Sequence, residues 1–263
     1  ILEMQYEIED IIQDKGFAGH TMLHTLLDAC SDELETLIES EILVSEKTET
    51  LISRVRSRIN ELFGPRESVS ETLHLDRFVR DLIKTLRPKF SHRKCRLIQR
   101  YESVPPIRIP PDVLTKTVEG LLRNAVENTP DESRIEITVR NKKKGPELVV
   151  KDYGVGMTAE KLRLVFQNHF VTYNTPQYST RRPYDFNAGG KGFDLLRMKI
   201  FSERYHFTIS AASHRCAFIP LDTDLCPGKI TDCHHCRRVK ECIDSGGTTI
   251  TVQFTEKNDD STP

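Results

Sequence analysis

The chain has 263 residues, with 38 Lys and Arg against 39 Asp and Glu, a formal net charge of -1 and 29% charged residues. That balance argues against a basic nucleic-acid surface. No apolar run approaches the ~20 residues of a membrane helix, and no signal peptide is visible. Seven cysteines suggest metal or redox chemistry in a cytoplasmic protein rather than a secreted disulfide framework. The length suits one large or two modest domains, and a first residue of Ile1 rather than Met suggests a piece of something longer.

Near the start, Leu23, Leu27, Cys30, Leu34 and Leu37 step by threes and fours along one face, which predicts an amphipathic helix over 17–43. Leu51, Val55, Ile59 and Leu62 do the same over 46–63, and Gly64-Pro65 stops the second helix. Two such helices make an antiparallel hairpin with its stripe uncovered, and two hairpins make a four-helix bundle by dimerising.

Further on, Phe78, Val79, Leu82 and Ile83 mark a helix over 75–86, and 94–101 reads as a strand. Pro110-Pro111-Asp112 opens the next helix, because proline suits a first turn and Asp its positive end. Val113, Leu114, Thr117, Leu121 and Leu122 form its buried stripe, and Asn124 and Asn128 share one face. Strands at 134–140 and 147–152 follow, joined by the charged turn Lys142-Lys143-Lys144-Gly145. The second strand delivers Asp152 to Tyr153-Gly154-Val155-Gly156-Met157. An acceptor-only carboxylate beside backbone bare of Cβ atoms suits a flat, amine-bearing ring such as adenine.

A short helix is expected at 159–166, then a polar loop over 171–186 that contains Arg181 and Arg182. Ala188-Gly189-Gly190-Lys191-Gly192 then opens a helix over 193–204, and bare N–H groups at a helix start attract anions. Strands at 206–212 and 248–254 close the chain. Between them lie Cys226, Cys233, Cys236 and Cys242, with Cys216 just before. The central C-x-x-C is a chelating pair, so zinc held by those four thiolates is the first expectation. An iron–sulfur cluster remains open, and His234 or His235 can replace one ligand.

The Asn-bearing helix, the Asp-x-Gly-x-Gly turn and the glycine-rich helix start, in this order, resemble the ATP-binding domain of sensor histidine kinases. That family shares its fold with type II topoisomerases, Hsp90-type chaperones and MutL repair proteins. The resemblance covers about residues 70–257. It implies an α+β protein: a dimerisation and phosphotransfer hairpin over 1–66, then a Bergerat-type α/β sandwich with a mixed sheet over 67–263. The cysteine insert falls at about 214–246. It also implies ATP and Mg²⁺, with Asn124 holding the ion, Asn128 near phosphate or ribose, and Asp152, Gly154, Gly156, Met157 and Thr248 around adenine. Gly190, Lys191 and Gly192 would cradle phosphate, Phe166 and Phe170 would pack beneath an ATP lid, and Arg181 or Arg182 would reach a phosphate. His20 is the best match to the phosphorylated histidine and His24 the second. A homodimer and a response regulator are the implied partners.

Three departures qualify this. Around His20 the acidic, arginine and proline positions of the family hold Thr21, Leu23 and Thr25, and Ala188 replaces a family glycine. Gly120 stands where the family has Asn, or Glu in its ATP-hydrolysing members. The alternative is therefore an ATP-binding signalling module without phosphotransfer; an ATP-hydrolysing clamp comes last, because glycine cannot polarise water.

Overall fold

The computed structural model describes residues 69–166, 182–188, 193–221, 223–236 and 238–255. The expected hairpin with His20 and His24 lies outside these residues, as do Phe170, Arg181, Gly190, Lys191 and Gly192.

The described chain opens with strand β1 (Glu71–Leu73), helix α1 (Leu75–Leu86) and a 3-10 turn, Arg87–Phe90. Strands β2 (Arg96–Tyr101) and β3 (Ile107–Ile109) lead to helix α2 (Pro111–Asn128). Alternating apolar residues then make β4 (Arg134–Lys142) and β5 (Gly145–Asp152). Their turn is only Lys143-Lys144, because Gly145 pairs with Lys142 and takes φ +115, a conformation that favours glycine. Helix α3 (Ala159–Leu164) stops two residues before its expected end. Helix α4 (Phe193–Arg204), β6 (Phe207–His214), a 3-10 turn at Ile230–Asp232, α5 (Val239–Ser245) and β7 (Gly247–Phe254) complete it.

Five strands form one sheet in the order β2-β4-β5-β7-β6. β2 and β4 are parallel and the other pairs antiparallel, so the sheet is mixed. The parallel pair is possible because α2 lies between its strands in the chain. β1 and β3 form a separate antiparallel ribbon that three-residue segments do not announce in sequence. The register sets Ile137, Val150, Ile250 and Ala211 side by side. Val79 and Ile83 of α1, Leu114 and Leu121 of α2, and Met198 and Phe201 of α4 join Ile137, Val150 and Ile250 in one buried core. The result is an α/β sandwich with helices laid on a mixed sheet. Among the described residues no helix is long and apolar enough to cross a membrane.

Candidate functional site

β5 ends at Asp152, which is 6% exposed. Its Oδ1 accepts hydrogen bonds from the backbone N–H groups of Gly154 (3.0 Å) and Thr248 (3.1 Å). Burial pushes the Asp152 carboxyl up to about 7, against the pull of those N–H groups.

The turn after Asp152 is wedged between α2 and β6. Val155 N–H donates to the Asn128 carbonyl at 3.2 Å. A Cβ on Gly154 would sit 2.0 Å from that same oxygen, and one on Gly156 (φ +65) would sit 1.8 Å from the His214 carbonyl. This corrects one expectation: the bare faces of these glycines meet protein backbone, not open space for a ligand. Met157 N–H donates to Ser213 Oγ (2.9 Å); that hydroxyl donates to the Gly247 carbonyl (3.0 Å) and lies 2.8 Å from Thr248 Oγ1. Ser213 thus ties Met157 to Thr248. Sequence reasoning missed it, because a serine in an alternating strand carries no local signal.

On α2, Asn124 is half-buried and Asn128 exposed. The Asn128 side-chain N–H donates to the Asn124 carbonyl at 2.8 Å, so that nitrogen serves its own helix. One turn before Asn124, α4 fills the space over Gly120. A Cβ there would meet Met198 Cε at 2.5 Å and the Asp194 Cβ and Cγ at 3.6 Å. Asp194 is ion-paired to Arg123 and, at 2.8 Å, to Arg197. The carboxylate nearest the vacated position is therefore held between two guanidiniums.

Within the expected loop Arg182 is exposed, while Tyr184 and the chain after it are pinned to the end of α2. Glu127, 5% exposed, accepts from Tyr184 N–H at 3.1 Å, and its backbone carbonyl accepts from Asn187 N–H at 2.7 Å. Burial raises the Glu127 carboxyl, offset by Tyr184 N–H and Arg123. Arg93 donates to the carbonyls of Val126 and Tyr184 (both 2.8 Å) and Thr129 (2.7 Å), and pairs with Asp131 at 2.9 Å. Arg93 is 8% exposed, and no sequence motif singles it out.

In the insert, Cys226, Cys233, Cys236 and Cys242 line one cavity, and Cys216 joins them. All five are free thiols. Among the described residues no three or more His, Cys, Asp or Glu side chains are arranged to hold a metal ion.

Residues 110–258, more than half of the chain, match the family described as histidine kinase-, DNA gyrase B- and HSP90-like ATPase. The chain belongs to this ATPase family. It is similar to sporulation kinase E of Bacillus subtilis, 28% identical over 126 residues that make 46% of this chain and 17% of that one. It is also similar to the sensor histidine kinase ZraS of Escherichia coli O157:H7, 25% identical over 171 residues, 65% of this chain and 34% of that one. The chain thus spans well under half the length of these curated relatives. A mycobacterial sensor histidine kinase, MprB, gives a TM-score of 0.47 at 16% identity, over 71% of this chain and 98% of that one.

The resemblance read from the three motifs therefore holds: this is the ATPase core of the histidine-kinase kind, and membership implies ATP and Mg²⁺. The donor set fits. A buried carboxylate with fixed orientation suits an amino group, and a half-buried amide on the neighbouring helix suits a hard cation. When bound, Mg²⁺–ATP supplies the transferable phosphoryl group. In that fit Asp152 would hold the base and Asn124 of α2 the ion.

Proposed function

We propose that this chain is the catalytic part of a protein histidine kinase. It binds Mg²⁺–ATP and transfers the γ-phosphoryl group to His20 on the helical unit of residues 1–66. The observation that carries the reading is the oriented, buried carboxylate of Asp152 at the end of a strand, one turn from α2. Both backbone bonds end on Oδ1, and the reading assigns Oδ2 to the amino group of adenine. Asn124 holds the ion through its amide oxygen, Asn128 lies near the phosphate or ribose, and Met157 and Thr248 close the base pocket. Gly190, Lys191 and Gly192 take the phosphates. Gly154 and Gly156 act by letting the turn close, not by touching ligand. The nucleotide unit runs over 67–263, and the chain works in the cytoplasm as a homodimer that passes the phosphoryl group to an aspartate of a response regulator. Zinc, or an iron–sulfur cluster, is held by Cys226, Cys233, Cys236 and Cys242.

Positioning dominates phosphoryl transfer, so a glycine at 120 is compatible with a kinase while disfavouring attack by water. Incubation with γ-labelled ATP is expected to give acid-labile label that is lost in His20→Ala. Intact nucleotide binding with no label would favour the second reading, an ATP-binding module whose acceptor stretch has decayed, which the substitutions around His20 support.

A further inference from the structure

Away from the nucleotide face, reactive side chains gather in the insert between β6 and β7. Cys216 follows β6, Cys233 and Cys236 follow the 3-10 turn, Cys242 lies on α5 and Cys226 in the loop between, yet all five line one cavity. Pro130, Phe218, Ile219 and Ile230 wall it. The rest of the loop has little core, with Leu221 and Leu225 exposed. Surface thiols scattered by chance do not converge from four segments on one cavity, and thiolate is the soft donor that zinc takes.

The insert is also built into the nucleotide turn. Cys216 N–H donates to the Val155 carbonyl at 2.8 Å, and Ala217 N–H to the Ser245 carbonyl at 2.9 Å. Ser245 Oγ donates to the Cys242 carbonyl at 2.7 Å and lies 3.2 Å from Cys216 Sγ. A Cβ on Gly246 would stand 2.8 Å from both the Gly154 carbonyl and Cys216 Cα. From the other side, Asp131 N–H donates to the Gly228 carbonyl at 2.8 Å, and Gly228 lies against the Phe186 ring. The insert therefore bridges the Asp152 turn and the anchored 184–187 segment.

We infer that the insert is a metal-dependent brace: a thiophilic divalent cation, zinc by its donor set, binds among Cys216, Cys226, Cys233, Cys236 and Cys242 and holds the Cys216–Ser245 stem beneath Gly154 and Val155, so that the loaded chain binds nucleotide more tightly than the stripped one. The inference rests on the ATP and zinc readings above, and adds Cys216 and the coupling. Each ligating thiol gives its proton to solvent and a lone pair to the cation, and nothing is oxidised. Closing the shell takes rotation and deprotonation of side chains already facing one cavity. The direction follows from entropy: a stem ordered by metal need not be ordered again by nucleotide.

The test uses the full 263-residue chain. Metal analysis with an absorption spectrum is expected to give about one zinc per chain. No uptake from a zinc titration, a Cys233–Cys236 disulfide formed instead, or iron with visible absorption overturns the zinc site. Calorimetry with ADP in excess Mg²⁺ is then run on stripped and zinc-reloaded protein. Stripping is expected to weaken binding about fivefold or more, and reloading to restore it. Equal affinity with zinc demonstrably bound overturns the brace and leaves the site standing; no nucleotide binding by either form strikes the ATP reading instead. In Cys216→Ser, zinc is expected to remain on the other four cysteines while the affinity difference shrinks. An undiminished difference removes Cys216 from the link.

Discussion

At the scale of single residues, Asp152 carries the most consequence. Its folded pKa of about 7 lies above its ordinary 3.8. The folded state therefore binds the proton more avidly, and this residue's contribution to stability is fullest below about pH 4 and lost as pH rises through 7. On the proposed reading nucleotide binding runs the other way, because the amino group of adenine would donate to the ionised carboxylate. Calorimetry is expected to show affinity falling by up to about tenfold per pH unit below 7 and level above it. Asp152→Asn should remove that pH dependence, and Asp152→Ala should weaken binding by about 10- to 100-fold. Gly156→Ala tests the corrected role of the turn. With φ +65 and a carbonyl 1.8 Å from the new Cβ, it is expected to cost about 1–3 kcal/mol or more in denaturant unfolding. A neutral outcome would return the bare face to the ligand.

Among the elements, the end of α2 is where separate segments meet. It receives the Asp152 turn through Val155 and the 184–187 segment through Glu127, and Arg93 joins the helix end at Val126 and Thr129 to Tyr184 and Asp131. Removing one partner of a buried ion pair leaves polar groups without compensation. Arg93→Met is expected to destabilise the chain by about 3 kcal/mol and to raise hydrogen exchange at Tyr184 and Asn187 before the central strands. Exchange rising uniformly would show that Arg93 serves the whole core instead. The helices α1 and α2 and the strands β4, β6 and β7 were legible from apolar spacing, β5 from its β-branched residues and α4 from the glycines that open it. The β1–β3 ribbon was not, because its stability comes from pairing across the chain.

For the whole molecule, the proposed reading as a kinase rather than a hydrolase turns on Gly120. Met198 and Asp194 occupy the space of the missing side chain, and Arg123 and Arg197 hold the Asp194 carboxylate. Steady phosphate release from ATP is therefore expected to stay at background. Release that vanishes in Asn124→Ala would place hydrolysis back in this site.

The order of Asn124, Asp152 and the glycine-opened helix was enough by itself to establish the ATPase family and its mixed sandwich, because each motif is a local pattern of a few residues. The tertiary structure alone decided which backbone the glycines of the turn meet, that Arg93 and Ser213 tie together the segments around Asp152 and α2, and that Cys216 lines one cavity with the other four cysteines. Those facts depend on backbones and side chains far apart in the chain coming within a few ångströms, and local periodicity holds no record of such approaches.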